Sequence, residues 1–428
     1  MSDVANQSAE LSGWKEIAGH LRVSIRTAQT LEREQDLPVH RGAGKKGPVF
    51  AKPVELDQWR TRVQNRQLGS AEPVLLPDAS TRRDWLRSVS FGGAIVAAAA
   101  AGYAIPKLNL GGKEIPSGYR IEGATLVVLG KDGGELWRHT LPEQLNEAAY
   151  TAGVIGRKCV FADVDGDGRA ETVFSYSPHR LESERSLVCF SANGRIMWTF
   201  VPGKSVIDNL GREFTPPFWP AQFEVLQSRH SAVAQIVVSS NHSWSFPTQV
   251  AVLDGKTGKL VSEYWHRGHL LYMAVADLDG DGEVEVLLGG VNDAPEYKQA
   301  TLVVFDHRQI AGATPNSAGG TYFQGMPPGT EKKTVFFPKT PLSQRLEFNR
   351  VSFLVVAGGR IRVNVAESTD ERDPAFVVYE LDYHLQPVSV TLSNGMMERY
   401  KEGQRFGKLP TESMEDIAER LERGIRVL

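Results

Sequence analysis

Two stretches of the chain space acidic side chains as a hard cation requires. They are Asp163-Val164-Asp165-Gly166-Asp167-Gly168-Arg169-Ala170-Glu171 and Asp277-Leu278-Asp279-Gly280-Asp281-Gly282-Glu283-Val284-Glu285, both of the form D-x-D-G-D-G-x-x-E. Carboxylates at alternate positions of a glycine-turned loop converge on one point. The backbone carbonyl at the seventh position, Arg169 or Glu283, and the glutamate at the ninth complete an oxygen shell. Such a shell selects Ca²⁺ over Zn²⁺, so two calcium sites are expected. No twelfth-position glutamate and helix follow either loop, which argues against an EF-hand.

A second set of residues is basic. Residues 11–66 hold eleven Lys or Arg against six Asp or Glu, a local +5 in a chain whose net charge is −3. That asymmetry predicts different partners for the two parts. Ser12 can cap a helix whose apolar face is Trp14, Ile17, Ala18 and Leu21, and Ser24 a second, from Ile25 to about Gln35. Leu37–Arg41 and Val49–Ala51 read as two strands around a basic turn, and Pro53 opens a third helix with Leu56, Trp59 and Val63 inward. This is the layout of a winged helix-turn-helix over 11–67. In such a domain the second helix enters the major groove, where Ser24, Arg26, Thr27, Gln29 and Thr30 begin or face it. Arg33, Arg41, Lys45 and Lys46 would neutralise phosphates. The plainer reading is a solvated basic face on a protein-binding domain.

The same residues resemble a known family. Gly13-Trp14-Lys15-Glu16-Ile17-Ala18, Val23-Ser24-Ile25-Arg26-Thr27-Ala28-Gln29, Glu32-Arg33-Glu34 and Leu37-Pro38-Val39-His40-Arg41 are similar to the small MerR/excisionase-like DNA-binding domains of bacteria. Where that pattern carries a basic residue and a tryptophan before Glu-Arg-Glu, this chain has Thr30-Leu31.

No Ser/His/Asp set, phosphate-binding glycine loop or paired-carboxylate site stands out, so no enzyme is expected. A lyase or quinone-dependent dehydrogenase built on Trp-ended hairpins lacks support from any catalytic set. The histidines, among them His139, His179, His230, His242, His266 and His269, show no metal spacing. Trp244, Trp265 and His266 could line a binding face, although such residues more often pack between sheets. Cys159 and Cys189, the two cysteines, are read as buried free thiols rather than a disulfide.

The elements that must hold the acidic loops repeat along the chain. Ala124–Leu129 with Gly134-Glu135-Leu136-Trp137, Arg185–Phe190 with Gly194–Trp198, Thr248–Leu253 with Gly258–Val261, Ala300–Phe305 and Phe376–Tyr379 are short β-rich segments, most followed by a turn and a second strand. The repeat and its loops resemble the FG-GAP repeat of integrin-type β-propellers. That resemblance implies calcium loops within blades and an all-β propeller over 119–395, with six or seven blades at about 40–45 residues each.

Between the two parts the polarity changes. Residues 68–88 form a linker ending in Arg82, Arg83 and Arg87, and Val89–Ile105 are seventeen residues without a charge. At about 1.5 Å per residue this just spans a bilayer, with the arginines on the cytoplasmic side. Arg82-Arg83 before Trp85 and Leu86 also resembles a twin-arginine export signal. Residues 396–428 form a tail whose Met414, Ile417, Ala418 and Leu421 mark an amphipathic helix. A mean hydropathy of −0.27 excludes a polytopic membrane protein but not one span.

The expected fold class is therefore multi-domain: a small α+β winged helix-turn-helix, a single transmembrane helix and an all-β propeller. The expected function is a membrane-anchored one-component transcriptional regulator of the bacterial inner membrane, with a cytoplasmic N-terminus and an exported propeller that senses a protein or carbohydrate ligand. DNA, the membrane and a second copy in a homodimer are the expected partners. The alternative is an anchored interaction or adhesion protein whose N-terminal domain binds protein.

Overall fold

A computed structural model of the chain describes residues 11–21, 28–29, 32, 37–41, 49–52, 55–56, 115–150, 156–180, 183–295, 297–316, 319–343, 348–367 and 375–428. They fall into two compact units, one within residues 1–70 and one within 71–428. The linker 68–88 and the apolar stretch 89–105 lie outside the described residues. Among the described residues no helix is long and apolar enough to cross a membrane.

The first unit is a helix on a small sheet. Leu11–Ser12, Val49–Ala51 and His40–Arg41 pair antiparallel in that order, and the helix Gly13–Leu21 follows the first strand. The hairpin expected around the basic turn is present, with His40 opposite Phe50; the Leu11–Ser12 strand was not expected. Ile17, Ala18, Ala28, Leu37, Ala51 and Leu56 form its core, with Leu11, Trp14, Val39 and Val49 packed around them. Most were inward positions of a predicted helix or lie on a strand; Leu37 and Val39 lead into the His40–Arg41 strand.

The second unit is built from five consecutive antiparallel sheets. The first is Pro116–Glu122, Thr125–Gly130 and Glu135–Thr140; the second is Cys159–Ala162, Glu171–Tyr176, Ser186–Phe190 and Ile196–Phe200. The third runs Phe218–Leu226, Gln235–His242, Thr248–Asp254 and Leu260–His266, and adds Gly312–Ala313 in parallel. The fourth runs Leu270–Ala276, Glu285–Asn292, Gln299–Asp306 and Lys333–Phe336, and the fifth Arg350–Ala357, Arg360–Ala366, Phe376–Leu381 and Pro387–Leu392.

Apolar clusters join these sheets in chain order. Leu126, Val128, Phe174 and Val188 join the first to the second; Val173, Cys189, Ile236 and Ala251 join the second to the third. Val237, Val252, Val286 and Phe305 join the third to the fourth, and Leu287, Leu302, Val363 and Val377 the fourth to the fifth. Central strands such as Glu171–Tyr176 and Glu285–Asn292 are buried along their whole length, because each is covered on both faces. Meanders stacked in sequence, each on the next, are the blades of a β-propeller.

Five blades stand among the described residues, against the six or seven expected from length. Two insertions consume chain without adding a blade. Residues 201–217 hold a small hairpin, Val206–Ile207 with Glu213–Phe214, and residues 307–332 form a long connection within the fourth sheet. Val206, Phe218, Trp265, Tyr322 and Phe323 form a common core for these insertions. Beside it the fully buried Asp208 accepts bonds from Arg212 Nε at 2.7 Å and Arg267 Nη1 at 3.2 Å, and from the Leu210 and Arg212 amides.

Two helices follow the fifth sheet. Asn394–Arg405, capped by Ser393, was not expected, whereas Met414–Arg423, capped by Ser413, matches the amphipathic pattern of the tail. Met396, Tyr400, Ile417 and Leu421 bury into the core shared by the fourth and fifth sheets. Arg426–Val427 then returns to pair with Lys333–Phe336, so this strand belongs to the fourth sheet.

The Trp-ended hairpins have a structural role. Trp137, on the last strand of the first sheet, lies under the turn glycine Gly194 of the second; Trp198 lies under Gly258 of the third and donates to Gly255 O at 2.8 Å. A Cβ at Gly258, whose φ is +67°, would stand 2.5 Å from the Trp198 ring. Gly258→Ala is therefore expected to cost about 2–4 kcal/mol in urea unfolding, from left-handed strain and overpacking together. Gly211→Ala has the same sign of φ and open space, so it should cost only the strain. Equal losses in the two variants would remove the ring from the explanation.

Candidate functional site

Both acidic loops connect the first and second strands of a blade, the second and the fourth sheet respectively. Their backbone bonding is the same. In the first loop Asp163 accepts from the Gly166 and Gly168 amides at 2.7 and 2.9 Å, Asp165 from Asp167 N and Asp167 from Arg169 N. In the second, Asp277 accepts from the Gly280 and Gly282 amides at 2.7 and 2.9 Å, Asp279 from Asp281 N and Asp281 from Glu283 N. The four glycines adopt φ between +78° and +86°, which lets the chain coil around its own carboxylates. Each loop is closed from below: Glu171 accepts from Val164 N at 3.0 Å, and Glu285 from Leu278 N at 2.8 Å.

In the first loop this brings Asp163, Asp165, Asp167 and Glu171 together, with one oxygen from each lying within 4.8 Å of the others. Arg169 folds back onto Asp167 Oδ2 at 2.7 Å, so its side chain stays outside the cluster and only its carbonyl can serve. Among the described residues no ammonium or guanidinium reaches Asp163, Asp165 or Glu171 by an ion pair. Glu171 is 2% exposed. Burial, and then the charges of Asp165, Asp167 and Asp163, push its carboxyl up to about 7, against the bond from Val164. A cluster of four carboxylates, one of them buried and only Asp167 ion-paired, has the donor chemistry of a divalent cation site.

The second loop differs. Asp277, Asp279 and Glu285 converge, but Asp281 turns its Oδ2 to Arg308 at 3.1 Å. Glu283 buries its side chain against His307 Nε2 at 2.9 Å. Lys332 Nζ lies 2.8 Å from Asp279 Oδ2 and 2.7 Å from Glu285 Oε1. Of the residues assigned to this loop from sequence, Asp281 thus turns its side chain to Arg308, while Glu283, assigned by its backbone carbonyl, keeps its amide in the loop and only its side chain meets His307. Lys332 and Arg308 went unread because they lie far along the chain from the loop, at the two ends of the connection 307–332.

Of the DNA-facing set, Ser24, Arg26, Thr27, Thr30, Arg33, Lys45 and Lys46 lie outside the described residues. Gln29 is exposed and helical. Arg41, on the hairpin, pairs with Glu32 Oε1 at 2.5 Å. His40, next to it, stacks on Phe50 and meets Glu55 at 2.5 Å.

Trp265 and His266 are each 1% exposed, so they pack rather than line a surface. Burial lowers the pKa of His242, His266 and His269 to about 4, which keeps all three neutral at pH 7. Cys159 and Cys189 are free, Cys189 buried and Cys159 half-buried.

No protein-family profile matches the chain, and no curated protein is similar to it. Solved structures similar to it include BBS1N in complex with ARL6DN, at 12% identity over 64% of this chain and 77% of that one, with a TM-score of 0.29. BamB from Moraxella catarrhalis is 12% identical over 65% of this chain and 62% of its own, with a TM-score of 0.30. The Dos1 propeller is 12% identical over 64% of this chain and 67% of its own, with a TM-score of 0.32. The chain thus spans less than two-thirds of BamB.

Proposed function

We propose that this chain is a one-component regulator in which a winged helix-turn-helix unit binds DNA and a calcium-binding propeller binds an external protein or carbohydrate. Residues 89–105 anchor it in the bacterial inner membrane with the first unit in the cytoplasm. Calcium is held by Asp163, Asp165, Asp167 and Glu171. The propeller has no catalytic role in this reading. A lone small domain makes few base contacts, so a change in self-association, spanning two half-sites, couples ligand to DNA.

The observation that carries the reading is the core of the first unit. It joins Ile17 of the first helix, Ala28, the His40–Ala51 hairpin and Leu56 into one cluster, as a winged helix-turn-helix requires. The second reading, an anchored interaction protein, draws support from Arg41, whose charge is already met by Glu32.

Fluorescence anisotropy of the full chain with DNA from upstream of its own gene separates the two. Phosphate contacts from about five basic residues should weaken binding roughly 10²–10³-fold between 50 and 200 mM salt. Arg26→Ala should cost a further 1–3 kcal/mol if it reads a base. Absence of binding at low salt would leave the interaction protein.

A further inference from the structure

We propose that the second acidic loop carries its own cation: the Lys332 ammonium takes the place a calcium ion would take, and the chain binds one calcium rather than two. The count of one rests on the calcium reading of the first loop; the exclusion from the second does not.

The two loops share one scaffold, with the same five amide-to-carboxylate contacts and the same glycine φ angles. What differs is a cation on the carboxylates of the third and ninth positions, present in the second loop alone. Lys332 bridges the third and ninth positions, Asp279 Oδ2 at 2.8 Å and Glu285 Oε1 at 2.7 Å. Calcium takes carboxylate oxygens at about 2.3–2.6 Å. An ion on those two oxygens and the ammonium cannot share the space. The fifth position does not separate the loops, since Asp281 Oδ2 meets Arg308 Nη2 at 3.1 Å and Asp167 Oδ2 meets Arg169 Nη2 at 2.7 Å.

Lys332 is held in place by its own backbone. Its amide donates to Val304 O at 2.8 Å, and the strand Lys333–Phe336 that follows is paired on both sides, with Gln299–Asp306 and with Arg426–Val427. Displacing it would break two charge-assisted bonds and leave a cation beside a divalent ion. The second loop therefore keeps its shape without calcium, and the first alone responds to it.

Calcium stoichiometry of the full chain by isothermal titration, repeated with terbium luminescence, tests this. Wild type should bind one equivalent, lost in Asp163→Asn and unchanged in Asp277→Asn. Lys332→Met and Lys332→Gln should each raise the count by one, and Lys332→Arg should not. The gain should vanish when Asp277→Asn is added.

Two equivalents in wild type, one of them lost in Asp277→Asn, would overturn the proposal. So would folded Lys332→Met and Lys332→Gln proteins that bind no more than wild type. No binding in wild type with a gain in Lys332→Met would sink the calcium reading of the first loop and uphold the lysine. Should both lysine variants fail to unfold cooperatively, the Asp277→Asn result in the wild-type background decides.

Discussion

Glu171→Gln is expected to abolish the calcium response of the protein and, in chelator, to make it more stable than wild type. Saturating calcium at about 100 times Kd adds about 2.7 kcal/mol to the stability of a protein that binds it only when folded. Glutamine cannot supply the charge at the ninth position, so that increment is lost. Its amide oxygen can still accept from Val164 N, which keeps the loop closed. Without calcium the wild-type carboxylate is a liability, since burial and three neighbouring aspartates push its pKa up to about 7. Holding it ionised at pH 8 costs about 2–3 kcal/mol, which the neutral amide avoids.

The pH dependence carries a definite sign. A carboxyl whose folded pKa lies above its unfolded value binds more protons folded than unfolded between the two. Its stabilising contribution is complete below the unfolded value and is lost as pH rises towards 7. Urea midpoints in chelator should therefore fall over that window in wild type and fall less in Glu171→Gln. A variant that keeps the calcium shift, or is weakened in chelator at pH 8, would remove Glu171 from the site.

The largest loss of stability is expected from Asp208→Ala. The carboxylate is fully buried, and its removal leaves the Arg267 guanidinium, only 6% exposed, facing Asp293 at 3.9 Å as its remaining charge partner. Breaking a buried pair in this way costs about 3–5 kcal/mol. Asp208→Asn retains an acceptor for the Leu210 and Arg212 amides, so it should lose less. Burial opposes ionisation of Asp208, yet the bonds from Arg212 and Arg267 outweigh it and hold its pKa below the ordinary value. Its contribution is therefore present above about pH 4 and lost as pH falls through the lowered pKa. The gap between wild type and Asp208→Ala in urea midpoint should narrow in acid. A loss under about 1 kcal/mol at pH 7 would mean that Arg267 is satisfied without Asp208.

The loops were legible because everything that shapes them is local. Nine consecutive residues supply both the carboxylates and the glycines that turn them, and the flanking strands are apolar runs. The charges that distinguish the two loops are not local. Lys332 and Arg308 reach the second loop only because the fourth sheet folds them there, and the sequence around each reads as ordinary connection. The side chain of Glu283 is placed by a non-local partner too: it meets His307, on the turn after Gln299–Asp306. The helix Asn394–Arg405 was hidden by its polarity and by Gly395 and Gly403; only Met396 and Tyr400 are buried. In the first unit apolar spacing sufficed, because a small core leaves few ways to bury Ile17, Ala28 and Leu56.

The strand Arg426–Val427 has a consequence for biosynthesis. It completes the fourth sheet, although the whole fifth sheet and two helices are made in between. On the ribosome the first two sheets can settle as they emerge, N-terminal part first, and the third needs only Gly312–Ala313 from the connection that follows. Lys333–Phe336 must instead wait with an open edge while almost a hundred further residues are translated. An unpaired edge is where other nascent chains can add, and here a charged residue stands at its start to discourage them. Truncations just short of residue 426 should therefore show themselves first as aggregation during expression.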